Sequence, residues 1–372
     1  STPDRHLVFF GTETTIGTPS TQDDMFIRFS DQEDINTYVP TATNTAGTQR
    51  LADGSRIMGA IRGRDAIYVW TDTSLFTQRF VGQPFTFAFA QVGTNCGLVG
   101  KNACIEIDGA AYWMSDNGFF RYAGRLESLQ CLVEDFVYDN INLESGNQMV
   151  SAGSNNLYGE VIWFYPTTGS SVINKMVAYN YFDSSPQRPV WTVGTLARTM
   201  WEDSAVFGLP HATEYDAGND SSFDVVGNTE GRTTYFEHET GTDQIKDGAV
   251  TAITSNIESG DFDITQQRSA QGQQTGVATF KGDGEYLMKI RRFVPDFISQ
   301  TGTTRITLQL KNYPNNSQAS SPLGPFDITS STTKIDTRAR GRALSLKVEN
   351  TGSAQSWKLG TFRLDTQPDG RR

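Results

Sequence analysis

Cysteine and histidine are scarce in this chain, and their scarcity removes whole classes of chemistry. Three cysteines in 372 residues, Cys96, Cys104 and Cys131, are an odd number and too sparse for a disulfide framework, a usage that fits a reducing compartment and argues against zinc. The three histidines, His6, His211 and His238, stand far apart with no second ligand two to four residues on. Neither a histidine metal site nor a Ser-His-Asp arrangement is expected, so the expectation is no cofactor, no metal and no catalytic group. No run of about 18 apolar residues occurs, so no membrane span is expected. The opening Ser1-Thr-Pro-Asp lacks the basic and apolar stretches of a signal peptide, and a start without Met is that of a processed or truncated chain.

What the chain does have is aromatics, with 23 Phe, 13 Tyr and 6 Trp, a load that packed sheets use and disordered chains lack. Its length sets a prior of two to three domains. Short apolar runs rich in aromatic and β-branched types, such as Leu7-Val-Phe-Phe, Met25-Phe-Ile-Arg-Phe and Ala66-Ile-Tyr-Val-Trp, alternate with Gly, Asn, Asp and Thr turns. The chain therefore reads as all-β. Helical spacing appears in Val133 to Ile141, where Val133, Phe136, Val137 and Ile141 fall on one face.

An internal repeat is visible. A shift of 44 residues lays Tyr68-Val-Trp-Thr-Asp-Thr-Ser-Leu-Phe on Tyr112-Trp-Met-Ser-Asp-Asn-Gly-Phe-Phe. A looser copy follows at Val161-Ile-Trp-Phe-Tyr and Asn174-Lys-Met-Val-Ala-Tyr, and a fourth is expected to start at Ser204-Ala-Val-Phe-Gly-Leu and return at Thr233-Thr-Tyr-Phe-Glu-His. Periods of about 40 to 50 residues with several strands each are those of β-propeller blades, which must stack on neighbours because one blade cannot cover both its faces. Four copies are few for a closed propeller. The ring is expected to be incomplete here, with further blades upstream of Ser1 or an open array completed by another chain.

Composition shifts near residue 265, where Thr265-Gln-Gln-Arg-Ser-Ala-Gln-Gly-Gln-Gln-Thr-Gly is polar and aperiodic. The expected organisation is propeller-like repeats over 1–264, a polar linker over 265–279, and a small antiparallel β domain over 280–372. In the last, Ile306, Leu308 and Leu310 alternate with Arg305, Thr307, Gln309 and Lys311, and Leu344, Leu346 and Val348 with Ser345, Lys347 and Glu349. Charge divides the same way. Residues 281–372 hold 15 basic and 8 acidic side chains, whereas the remaining 280 hold 16 basic and 34 acidic, an asymmetry that suggests surfaces with different partners.

Short motifs weigh little. Gly97-Leu-Val-Gly-Lys101 resembles the end of a phosphate loop, but Asn95 and Asn102 stand where Gly and Ser or Thr are required. Gly282-Asp-Gly-Glu fails as a dinucleotide fingerprint at Leu287. Asn117-Gly118 fixes a hairpin whatever the protein does. Asp261, Asp263 and the Asp216–Asp224 stretch lack the Gly and distal Glu of a calcium loop. Arg338, Arg340 and Arg342 share one strand face, with Arg291-Arg292 and Arg371-Arg372 adding cations. Such a row can grip carboxylates or phosphates, and the absence of interleaved aromatics argues against base stacking.

Glu258-Ser-Gly-Asp-Phe, Asp283-Gly-Glu, Arg291-Arg-Phe-Val-Pro-Asp-Phe, Tyr313-Pro, Thr337-Arg-Ala-Arg-Gly-Arg, Val348-Glu-Asn, Trp357-Lys-Leu-Gly and Asp369-Gly-Arg-Arg, with Trp113, Asn117-Gly118 and the Val133 helix, resemble the packaged-DNA stabilisation or tail-nozzle proteins of short-tailed bacteriophages. The resemblance covers most of the chain, which is shorter than family members usually are. It implies a non-enzymatic virion subunit, assembled in the host cytoplasm into the tail, forming a six-fold homo-oligomeric ring below portal and adaptor proteins and beside tail fibres or spikes. Duplex DNA would pass its channel without sequence reading and be retained there until ejection. In that setting Arg291, Arg292, Arg338, Arg340, Arg342, Arg371 and Arg372 are candidate subunit or adaptor contacts. The alternatives are a sugar-binding or glycoside-hydrolysing propeller and a host-recognition domain of a tail fibre.

Overall fold

The computed structural model describes residues 2–144, 147–216, 231–246, 248–263, 286–313, 321–350 and 352–370. The chain is all-β, with propeller-like blades followed by a small antiparallel β domain. It divides into two compact units, Ser1–Glu239 and Thr240–Arg372.

The first unit is a succession of five antiparallel sheets. Blade 1 holds β1 (Val8–Glu13), β2 (Gln22–Phe29) and β3 (Gly47–Arg50); blade 2 holds β4 (Ile57–Arg62), β5 (Ile67–Thr71), β6 (Ser74–Gly82) and β7 (Thr86–Thr94). Blade 3 holds β8 (Cys104–Ile107), β9 (Ala110–Ser115), β10 (Gly118–Tyr122) and β11 (Leu126–Leu129); blade 4 holds β12 (Ser151–Asn155), β13 (Glu160–Tyr165), β14 (Lys175–Asn180) and β15 (Trp191–Gly194). Blade 5 holds β16 (Met200–Glu202), β17 (His211–Asp216) and β18 (Arg232–Glu237). Within each blade the strands pair in sequence order, the meander expected of short aromatic runs joined by tight turns.

The 44-residue repeat falls on equivalent hairpins, β5–β6 and β9–β10. Ser204 to Leu209, expected to begin a strand of the fourth copy, forms turns instead, and β16 starts earlier, at Met200. The Gly208 φ of +80° and two consecutive exposed side chains, Val206 and Phe207, explain why this apolar run does not enter a sheet.

Three apolar clusters bind the blades face to face. Met25, Ile27 and Leu51 of blade 1 meet Val69 and Phe76 of blade 2. Trp70, Trp113 and Trp163 anchor a cluster through blades 2, 3 and 4, and Ile162 and Phe164 of blade 4 pack with Trp201 and Ala212 of blade 5. A tryptophan also ties most blades to what precedes them. Trp113 Nε1 donates to the Cys96 carbonyl (2.8 Å), Trp163 Nε1 to Ala103 (3.0 Å) and Trp201 Nε1 to Ser154 (2.6 Å), so each indole buries its ring without orphaning its donor. The three cysteines are free and buried, and burial pushes the thiols of Cys96 and Cys131 up to about 11 and that of Cys104 to about 12.

The expected helix is a single turn and a half, α1 (Glu134–Tyr138). Val137 and Ile141 are buried, but Phe136, placed on the same face by its spacing, is 47% exposed. So short an element docks mainly through Val137, while the Tyr138 hydroxyl donates to the carbonyls of Ser115 (2.7 Å) and Gly118 (3.0 Å) at the β9–β10 turn.

In the second unit β21 (Ser255–Glu258), β27 (Ala343–Asn350), β24 (Thr304–Lys311) and β25 (Ser321–Ile328) form a four-stranded sheet. A three-stranded sheet runs β26 (Ile335–Gly341), β22 (Met288–Val294), β29 (Arg363–Pro368), and two pairs join β19 (Asp243–Lys246) to β20 (Ala249–Ala252) and β23 (Phe297–Thr301) to β28 (Ser356–Leu359). Ile306, Leu308, Leu310, Leu344, Leu346 and Val348 are all buried in its core, as their alternation requires. The unit starts ahead of the composition change near residue 265, because β21 pairs with β27. The polar stretch over 265–279 lies outside the described residues.

Candidate functional site

Antiparallel register builds a cleft on blade 3. Tyr112 of β9 pairs with Arg121 of β10, which pairs with Glu127 of β11, so the three side chains form one cross-strand row. Arg121 Nε donates to the Tyr112 hydroxyl (3.1 Å), its Nη1 meets Glu127 Oε2 (3.0 Å), and its guanidinium lies 5.7 Å from the Tyr112 ring centre. Blade 4 supplies the facing wall. Tyr179 and Tyr181 stand with ring centres 6.4 and 6.0 Å from Tyr112, and Trp191 backs Tyr179 at 4.9 Å. Trp191 is itself held by a 2.8 Å bond from its Nε1 to the Gln130 carbonyl, which ties β15 to the end of β11.

The resulting cleft has a volume of about 830 Å³, with Tyr112 at its floor and Arg125, Ser184, Ser185 and Pro186 at its rim. Burial pushes the phenol of Tyr112 up, and Tyr181 is raised by burial and then by the charge of Asp108, so both are neutral hydroxyls at neutral pH. Burial opposes the charge on Arg121, yet Tyr112 and Glu127 together hold its guanidinium above its ordinary value. Rigid aromatic faces beside a fixed guanidinium–carboxylate pair can take a ligand that has both apolar faces and hydroxyls.

A carboxylate pair lies on the other face of blade 4. Glu160 of β13 is pushed up first by burial and then by the charge of Glu239, which accepts from Asn155 Nδ2 (2.9 Å). Strand alternation puts Glu160 with Ile162 and Phe164, toward blade 5, and so away from the tyrosine cleft.

The arginines singled out in the sequence are brought together only in part. Arg338 and Arg340 project from the exposed face of β26 with Ala339 buried between them, while Arg342 lies just past the strand end and is partly buried. Arg340 pairs with Asp369 (2.8 Å), and Arg340 and Arg342 share a cleft of about 280 Å³ with Asn312 and Tyr313. Arg292 pairs with Asp336 (2.8 Å), and Arg291 is exposed at the neighbouring bulge of β22. Arg371 and Arg372 lie outside the described residues, as do Gly282-Asp-Gly-Glu and 217–224 of the acidic stretch. Asp261 is engaged by Lys311 (2.8 Å), and among the described residues no cluster of three His, Cys, Asp or Glu side chains could hold a metal. Nor, among them, is any helix long and apolar enough to cross a membrane.

The tyrosine cleft escaped sequence reading because its residues lie up to 77 positions apart and meet only through strand register and blade stacking. The available signal was Tyr112 within the repeat. The glycines of Gly97-Leu-Val-Gly answer a structural need instead: a Cβ on Gly97 would overlap the Asp72 carbonyl, and one on Gly100 that of Asn147.

No family model matches the chain, and no curated protein matches it. Among solved structures it is similar to the exo-beta-1,3-galactanase of Phanerochaete chrysosporium, determined with galactose, at 8% identity over 97% of this chain and 99% of that one, with a TM-score of 0.28. It is also similar to a glycoside hydrolase at 10% identity, covering 97% and 95% of the two chains, with a TM-score of 0.24. The expectation of a non-enzymatic tail-nozzle subunit that retains packaged DNA is corrected here, the solved structures that the chain is similar to being named as an exo-beta-1,3-galactanase and a glycoside hydrolase. The physical reason lies in the motifs that carried the resemblance. Trp113 is a buried blade staple, Asn117-Gly118 is a hairpin turn, and Arg292 serves a cross-strand ion pair, which are roles that a β-sheet needs for any function. With TM-scores this low, the matches carry no substrate or catalytic residue over to this chain.

Proposed function

We propose that the cleft between blades 3 and 4 binds a glycan. The observation that supports the reading is the convergence of Tyr112, Tyr179 and Tyr181 with the Arg121–Glu127 pair around one open cleft. A pyranose ring presents C–H faces that pack on aromatic rings and hydroxyls that bridge a guanidinium and a carboxylate, so one ligand class uses both features. Hydrolysis in the usual manner needs two carboxylates across the bond. Among the described lining residues Glu127 is the carboxylate, and Arg121 already engages it, so what the cleft offers directly is recognition.

The test is a glycan array followed by calorimetry on any hit, with reducing-sugar release assayed in parallel. Tyr181→Ala is expected to weaken binding about tenfold, roughly 1.4 kcal/mol, with the fold retained by circular dichroism. Absence of binding to every oligosaccharide at millimolar concentration overturns the reading. Release of reducing sugar that survives Glu127→Gln would move the chemistry elsewhere on the molecule.

A further inference from the structure

The charged side chains among the described residues that line the cleft between blades 3 and 4 are Arg121, Arg125 and Glu127. Arg121 and Glu127 meet at 3.0 Å and neutralise each other. Arg125 is left over. It lies in the β10–β11 turn, where the Ala123 amide donates to its carbonyl (3.3 Å) and Gly124 takes a φ of +83°. It is exposed, and its guanidinium has no ion pair or hydrogen bond among the described residues.

Strand order gives this cation a place relative to the aromatic walls. Blade 3 runs β8, β9, β10, β11 from edge to edge, so the β8–β9 turn, with Asp108, and the β10–β11 turn, with Arg125, lie at the same end of the blade. Asp108 stands toward the β8 edge and acts on Tyr181, while Arg125 stands toward the β11 edge. The cleft is therefore cationic on its β11 side. Ser184, also at the rim, accepts from the Val190 amide (2.8 Å), which leaves its hydroxyl proton to be donated.

We propose that the ligand is an acidic glycan, whose uronate carboxylate or sulfate ester is held by Arg125 while a sugar ring packs on the tyrosines; the assignment rests on the glycan reading of the cleft. A guanidinium fork matches two anionic oxygens at once, and Arg125 has no partner to give up in making that charge-assisted pair. Arg121 does not offer the same, because Glu127 already engages it. A neutral sugar gains nothing from Arg125, so charge on the ligand is what this residue selects.

A glycan array carrying oligogalacturonates, hyaluronan and carrageenan oligosaccharides beside neutral galacto-, xylo- and cello-oligosaccharides tests it, followed by calorimetry on each acidic hit and on its methyl-esterified or desulfated form. Acidic hits are expected to bind at least tenfold more tightly than their neutralised forms, and that margin should shrink as NaCl rises from about 50 to about 500 mM. A margin confined to the uronates assigns the carboxylate, and one confined to the carrageenans assigns the sulfate. Arg125→Gln is expected to bring the acidic-to-neutral ratio close to one, whereas Tyr181→Ala weakens both forms alike. Hits among neutral glycans alone, equal affinity for acidic and neutralised forms, or a ratio unchanged in Arg125→Gln overturns the assignment and leaves the cleft a glycan site. No hit of either kind overturns the cleft reading itself.

Discussion

At the residue scale, polar groups placed in apolar surroundings set the chemistry of blades 4 and 5. Arg198, 3% exposed, is held by Glu214 at 2.7 Å, lies 3.9 Å from the centre of the Phe236 ring, and donates from Nε to His238 (2.9 Å). Burial, reinforced by the charge of Arg198, pushes His238 down to about 4. Glu160 is perturbed in the opposite chemical sense. Its carboxyl is raised by burial and by Glu239, so the folded state holds its proton more tightly than the unfolded chain does. The stability that this proton contributes is complete below the unfolded value, near 4.3, and is lost as pH rises through the folded value. Glu160→Gln removes the buried charge, and its expected effect is a higher melting temperature at pH 7. The gain should vanish near pH 4, and scanning calorimetry at both pH values checks it.

At the element scale, hairpin turns and close backbone approaches dictate where glycine must stand, and two glycines separate the two reasons. Gly82, at the end of β6, has φ of +76° with open space around it, so an added Cβ meets strain but no neighbour. Gly97 packs on the backbone of Asp72 and Thr73, atoms that cannot swing aside as a flexible side chain can. Gly82→Ala is therefore expected to cost about 1 kcal/mol, and Gly97→Ala roughly 3 kcal/mol, as urea denaturation would measure. An equal cost at the two positions would contradict this account. The tryptophan staples belong to the same scale. The indole donors of Trp113, Trp163 and Trp201 all end on backbone carbonyls of the preceding blade or its link, so the packing partner is chosen by backbone position and not by side-chain identity.

At the scale of the whole molecule, two units with separate cores make two-state unfolding an unsafe assumption. Five tryptophans and all three cysteines belong to the first unit, and Trp357 alone among the tryptophans belongs to the second. In a urea titration, tryptophan emission and thiol reactivity are expected to change together, while far-UV circular dichroism shows a further transition displaced from both. A single coincident transition by all three probes would mean that the units unfold as one.

The strand class, the blade repeat and the alternation of β24 and β27 were legible in the amino acids themselves. Period-two patterning and turn residues are local properties, readable over a few positions. Phe136 and Ser204 to Leu209 show the limit of that reading, since Phe136, Val206 and Phe207 carry apolar patterns yet stay largely exposed. The site lay beyond it altogether. Tyr112, Arg121 and Glu127 became one row through register, and Tyr179 and Tyr181 faced them only once blade 4 had stacked on blade 3. Of the arginines plain in the sequence, Arg292 met Asp336 and Arg340 met Asp369, carboxylates of their own unit. Local sequence determines which way a side chain points from its strand, whereas what it then meets depends on long-range stacking, where each contact is set by residues dozens of positions away.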